Sequence, residues 1–315
     1  MTYALNIQGI SPPVGRRNDG GRVVVLAIVF GLLLLALSAC APLENTPPVV
    51  KIGLIAPFEG PSRPLGYSAL NGVRLRLQQW NDAGNSPRVE LVALNDNGDP
   101  DLAAVLPEQL AVDPDLLLVL GPPQGHTALA ALPALTKNEL PTLSLAPLPD
   151  DSSPWVQPYA GVDADMQAAL ARYAPEAPVA RELPLAGPSI WVGDAQTLAG
   201  LVQATPEMAP AAGVVAAEPA FAAWAAEAAD GMVWALAVPD DLPPDFAASY
   251  QALAGSPPQP LAALAYAATD RALQLIATQQ ERSGLASDLN AIPAPPIQVF
   301  QRQGGDCCLL LSPDF

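Results

Sequence analysis

Three apolar runs, each closed by a loop of small and polar residues that opens a helical segment, constrain this chain more than any other feature. They are VVKIGLIAP (Val49–Pro57), VELVALND (Val89–Asp96) and DLLLVLGP (Asp115–Pro122), followed by the shorter PTLSLAP (Pro141–Pro147). Branched apolar residues at nearly every position suit strands buried on both faces, and the amphipathic segments between the runs suit the crossovers of a parallel sheet. Repeated strand-helix units build a doubly wound α/β lobe. Ligands of such a sheet sit beyond the carboxyl ends of its strands, so the loops after each run are where binding residues are expected.

Helical periodicity fills the gaps. A first helix is predicted from about Gly66 to Asp82, with Leu70, Val73, Leu77 and Trp80 facing the core. A second runs from about Asp99 to Leu110, with Asp99 as cap and Pro100 in the first turn. A third starts near Gly125 to Thr127, and Pro133 would kink it or tighten its path. Further on, strands are read at Ser189–Val192, Gly213–Ala217 and Gly231–Val238, while Pro175–Pro188 is Pro-rich and has no clear period.

The amino terminus speaks to location. Arg16, Arg17 and Arg22 lead into an apolar run, Val23–Leu37, that ends in Leu37-Ser38-Ala39-Cys40. A basic region, an apolar core and small residues at a cleavage site define a secretory signal. Cys at the next position makes it the lipobox pattern of bacterial lipoproteins, with Cys40 the acylated residue. The run is shorter than the roughly 20 apolar residues of a spanning helix. Asn18, Asp19 and Gly20 follow the Arg pair without apolar residues, which favours general secretion over twin-arginine export. Residues 41–48 (APLENTPP) read as a polar, Pro-bearing tether. An extracytoplasmic, lipid-anchored protein at the cell surface or in the periplasm is expected.

A formal charge of −17 argues against nucleic acid, which demands a basic face, and against adhesion to an anionic membrane surface. Apart from Cys40 the cysteines are the adjacent Cys307 and Cys308; neighbours on a strand face opposite ways, and the alternative is a strained vicinal disulfide. With a single His in the chain, neither a metal site nor the usual general base is indicated. No nucleophile elbow, zinc-protease, phosphate-loop or dinucleotide motif is present, so the expectation is a protein that is not an enzyme and carries no cofactor.

From Val50 onward the chain resembles a known family. VKIGLIAPFEGPSRPLGYSALNGVRLRLQQWNDAG, VELVALNDNGDP and LLLVLGPPQGHTALAALPALTKNELPTLSLAP resemble the first lobe of the type I periplasmic binding proteins, within them the leucine/isoleucine/valine-binding group of ABC-transporter solute receptors. FAASYQALAGSPPQPLAALAYAATDRALQLI (Phe246–Ile276) resembles a second stretch of that family; the region between matches poorly. The resemblance implies two doubly wound parallel-sheet lobes joined by a hinge, with lobe one at residues 49–150 and 242–294. Lobe two, at 151–241 and 295–315, is trimmed by at least one strand-helix unit. The leader would span residues 1–40.

The resemblance also implies a ligand between the lobes: an amino acid, amide or small organic acid delivered to an ABC permease. Gln124 and Gly125 stand where family members commonly carry Ser-Ser. Ser144 matches a family Ser, with Ala146 beside it, but Pro147-Leu148 replaces Ala-Thr. The hydroxyls used for amino acids are mostly missing. Amides of Gln124 to Thr127 at a helix start would still favour an anion, and Gln124 and Thr127 add hydrogen bonds. His126 lies in the same loop, either solvated or in contact with ligand. Phe58, Tyr67 and Trp155 could form an apolar wall, Glu59 lies near the cleft, and Asp163 opens a helix of lobe two. Two functions follow: a lipid-anchored solute-binding protein of a branched-chain-amino-acid-type transporter, or an interaction or regulatory lipoprotein on a degenerate binding-protein fold.

Overall fold

The computed structural model describes residues 48–151, 153–183, 185, 187–204, 211–303 and 306–311, with Val24, Ile28 and Phe30 as isolated positions upstream. The described residues from 48 onward belong to one compact unit. Cys40 lies outside the described residues, and so do the side chains of Cys307 and Cys308.

The apolar runs form one sheet. Strands β1 (Val49–Ala56), β2 (Arg88–Asn95), β3 (Leu116–Leu120), β4 (Thr142–Ser144) and β5 (Val156–Pro158) are arranged in the order β2-β1-β3-β4-β5, all parallel. Every residue of β3 is buried, as its unbroken LLLVL sequence requires. Helices α1 (Arg63–Asp82), α2 (Pro100–Ala111) and α3 (Gly125–Lys137) are the crossovers. On one face Ile55, Leu116 and Val119 pack with Leu106, Leu110 and Leu135 of α2 and α3. On the other, Ile52, Leu54 and Leu118 pack with Val73, Leu77 and Trp80 of α1.

Local details differ from the sequence reading in instructive ways. Helix α1 starts at Arg63, because Pro64 supplies the fixed φ that suits a first turn. Leu70 is only partly buried, and Leu65 and Ala69 take core places instead. Asp99 caps α2, accepting from the amides of Asp101 at 2.8 Å and Leu102 at 3.4 Å. Pro133 sits inside α3, which nevertheless runs on to Lys137.

The second sheet holds β6 (Val179–Ala180), β7 (Ile190–Trp191), β8 (Ala211–Ala212), β9 (Val233–Ala237), β10 (Ile297–Gln303) and β11 (Asp306–Leu311), in the order β11-β10-β9-β8-β7-β6. Strands β6 to β9 are parallel, and β10 and β11 extend the sheet antiparallel. Helices α4 (Asp163–Leu170), α5 (Ala195–Ala204) and α6 (Pro219–Ala225) connect this half. Helices α7 (Phe246–Ala254), α8 (Pro260–Ile276) and α9 (Arg282–Leu289) return to the first: α7 and α8 pack on α1, and α9 reaches β3, β4 and β5.

Two expectations are corrected here. The strand read at Gly213–Ala217 is a 3-10 turn over Val214–Ala217, because Gly213 takes φ +74° and ends the extended chain right after β8. The lobe boundary read at residue 150 falls too early, since β5 pairs with β4 and the first sheet runs on to Pro158. The chain then crosses between the sheets at residues 159–162, 238–245 and 290–296.

Candidate functional site

The loops at the carboxyl ends of the two parallel sheets face each other, which is where such sheets bind ligands. From the first sheet come the loop after β1, carrying Ser62, the loop after β3, carrying Gln124, and the loop after β4, carrying Pro147. From the second come Val192 after β7, Gly213 after β8 and Glu218 just ahead of α6.

A polar cluster joins the halves. Gln124 Nε2 donates to Glu218 Oε1 at 3.0 Å and to Ser62 Oγ at 3.0 Å, and Ser62 Oγ donates to Glu218 Oε2 at 3.1 Å. Each carboxylate oxygen thus receives one neutral donor. In its ionised form Glu218 only accepts, which sets the N–H end of the Gln124 amide toward it. Glu218 is 1% exposed and no ion pair to it exists among the described residues. Burial pushes its carboxyl up to about 7, against the lowering effect of the bonds from Gln124 and Ser62. Glu218 and Ser62 were missed in the sequence. The signal available was a lone Glu-Pro in the apolar stretch GVVAAEPAFAA, ahead of a helical segment.

Around this cluster the halves touch. A Cβ on Gly125 would collide with the carbonyl oxygen of Val192, so only glycine allows that approach. A Cβ on Gly213 would stand 3.0 Å from the ring of Pro147, a tight contact. Among the described residues, the gap lined by Gln124, Gly125, Pro147, Val192, Gly193 and Val214 has no space for a water molecule. The inter-lobe hollow expected from the sequence is therefore closed. A hydrophobic cluster runs through both halves, from Leu54, Leu120 and Leu145 to Trp191, Val214 and Trp234.

The expected site residues separate into groups. Gln124, Gly125, His126 and Thr127 lie together at the start of α3. Thr127 is fully buried, with its hydroxyl donating to the carbonyl of Gln124 at 3.1 Å, and His126 Nε2 lies 3.0 Å from the carbonyl of Gly98. Behind them Asp96 is fully buried and pushed up to about 6 by loss of water, opposed by the bond from the Gly98 amide. Three buried polar atoms in this region have no partner: Gln124 Oε1, His126 Nδ1 and Asp96 Oδ2. Of this group, the Gln124 side chain is the one that meets Glu218.

Ser144 is turned away from any ligand: its hydroxyl donates to the carbonyl of Ala146 at 2.8 Å and accepts that residue's amide at 3.3 Å, closing a tight turn. Asp163 is held by Arg181 at 2.6 and 3.0 Å, and Arg181 also donates to the carbonyl of Pro147 at 3.0 Å, so this carboxylate is spent on a structural pair. Trp155 packs into the α2–α3 core and forms no cleft wall. Phe58 and Tyr67 meet edge to face at 5.8 Å, with Arg63 lying over the Tyr67 ring at 5.2 Å, but Tyr67 is 41% exposed and Glu59 is exposed. These form an outer rim. An open groove of about 470 Å³ lies elsewhere, lined by Asp150, Asp151, Gln157, Asp165 and Asn290.

Comparison with known proteins agrees with this architecture. The family described as "Periplasmic binding protein" matches residues 49–188. Solved structures of similar fold include the branched-chain amino acid transporter substrate-binding protein LivJ of Streptococcus pneumoniae in complex with isoleucine, with TM-score 0.67 and 14% identity over 84% of this chain and 100% of that one. The leucine-binding protein LivK of Thermotoga maritima matches with TM-score 0.67 and 16% identity over 84% of this chain and 99% of that one. A solute-binding protein of R. palustris in complex with benzoate matches with TM-score 0.58 and 18% identity over 84% and 96%. No curated protein matches the sequence. The chain has the two-lobed type I periplasmic binding protein fold.

Proposed function

We propose that this chain is an extracytoplasmic solute-binding protein of a branched-chain-amino-acid-type ABC transporter, anchored by a lipid on Cys40, with its second lobe shortened. Its inter-lobe site takes a small organic molecule bearing an amine or amide. The observation that carries this reading is Glu218: a carboxylate 1% exposed, contributed by one lobe and hydrogen-bonded only by neutral groups of the other. A buried acid without a counter-charge is costly in a purely structural setting and is characteristic of recognition sites. It suits an ammonium or amide head and repels a bare carboxylic acid. The unpartnered Gln124 Oε1 and His126 Nδ1 beside it are further hydrogen-bonding capacity. The lipobox supports the anchor.

A ligand reaches Glu218 only when the lobes part, as in hinge closure around a solute. Thermal-shift and calorimetric screening of the purified protein against amino acids, amides, short carboxylic acids and polyamines tests the reading. Saturable stabilisation by an amine or amide is the expected result, with the response to an amine lost in Glu218→Gln; no response to any member overturns it.

A second reading rests on the packed interface: with no water-sized space and a continuous apolar cluster, the lobes would stay shut and the protein would act as an interaction or regulatory lipoprotein. Small-angle scattering unchanged by every solute, together with a silent screen, is the outcome that favours it.

A further inference from the structure

Resting on the reading of the cleft as a solute site, we infer that Gln124 is a built-in occupant of that site: its carboxamide stands where a ligand's polar head would meet Glu218, and an external amine or amide binds by exchange with it. The carboxamide crosses from one lobe to the carboxylate of the other with both N–H groups committed, one to Glu218 at 3.0 Å and one to Ser62 at 3.0 Å. Its oxygen is buried without a partner. A side chain placed for its own hydrogen bonding would satisfy both ends; here only the end that resembles a protonated amine is matched.

The enclosure is shaped around that group. Gly98 closes behind it, where a Cβ would stand 3.1 Å from Gln124 Oε1. Gly125, the next residue, abuts Val192 of the second lobe, and the gap around them holds no water-sized space. A tethered group competes at high effective concentration, and a site that is open only part of the time shows reduced apparent affinity. Gln124 therefore weakens capture of small amines and sets a threshold that only a ligand with additional contacts exceeds.

Chemical complementation of the full chain, purified in detergent, tests this. Gln124→Ala deletes the equivalent of acetamide beside Glu218. Its melting temperature is expected to fall by several degrees and to be restored in a dose-dependent manner by acetamide and by methylammonium, but not by acetate at equal ionic strength. Wild type, with the place filled, and Gln124→Leu, which keeps the volume, are expected to show no such response. In Gln124→Ala with Glu218→Gln, rescue by methylammonium is lost and rescue by acetamide persists.

Equal responses of all variants, or no rescue of Gln124→Ala, overturn the inference. Should that variant not fold alone, folding in the presence of acetamide is the readout, and failure even then counts against the occupant. The two readings separate cleanly. Solute binding by wild type without any gain in Gln124→Ala removes the occupant and leaves the receptor, whereas rescue of Gln124→Ala with a wild type silent to every solute keeps the occupant and removes the receptor.

Discussion

Glu218 loses almost all its water in the closed cleft and receives two neutral hydrogen bonds, which do not offset the loss; Asp194 nearby adds repulsion. The folded chain therefore holds this proton up to about pH 7, while an ordinary Glu releases it near 4.5. Between those values the folded state binds more protons than the unfolded one, so stability falls as pH rises through the window. Glu218→Gln is expected to remove that fall. Its melting temperature should match wild type below pH 4.5 and exceed it above pH 7, by the equivalent of roughly 3 kcal/mol at most. Asp96, pushed up to about 6, acts in the same direction in both proteins and cancels in the comparison. Parallel pH profiles would refute the assignment. Gln124 and Gly125 were legible in the sequence because they sit in a loop of recognisable spacing between β3 and α3. Glu218 and Ser62 were not, because their meeting depends on how the two sheets face each other.

At the scale of elements, the first sheet was readable because β1 and β3, buried almost throughout, have an unmistakable apolar signature, and the cap of α2 obeys local chemistry. Asp99 is the clearest case: two backbone bonds at the start of α2 make Asp99→Ala cost about 1 kcal/mol, measured by denaturant titration. No change in midpoint would show that the cap is redundant. Strand β7 falls inside the run read at Ser189–Val192, whereas β6 and β8 span two residues each and carry no period, so nothing local distinguishes those two from loop. Strand β5 was assigned to the wrong lobe for a related reason: VQP has little pattern of its own, and pairing with β4 alone decides where it belongs.

For the whole molecule, the apolar cluster that links Leu54 and Leu145 to Trp191 and Trp234 makes the two lobes one folding unit. A single calorimetric transition with equal calorimetric and van't Hoff enthalpies is expected; two resolved transitions would show the lobes to be independent. The hinge side holds an ionic contact between Arg271 of α8 and Asp241 of the second crossing. At 31% and 52% side-chain exposure this pair is worth at most about 1 kcal/mol, so Arg271→Gln should lower the melting temperature by no more than about 4 °C. A larger drop would mean that Arg271 anchors the crossings through more than this pair. What the sequence determined on its own is local and repetitive: a parallel sheet, its crossover helices, their caps, and the loops at its carboxyl edge. Tertiary structure alone decided that Val192 would rest on Gly125, that Gln124 would reach a carboxylate 94 residues away, and that the cleft would be closed. Periodicity reports which face of an element seeks burial, whereas the match between two lobes depends on distances across the fold that no local pattern encodes.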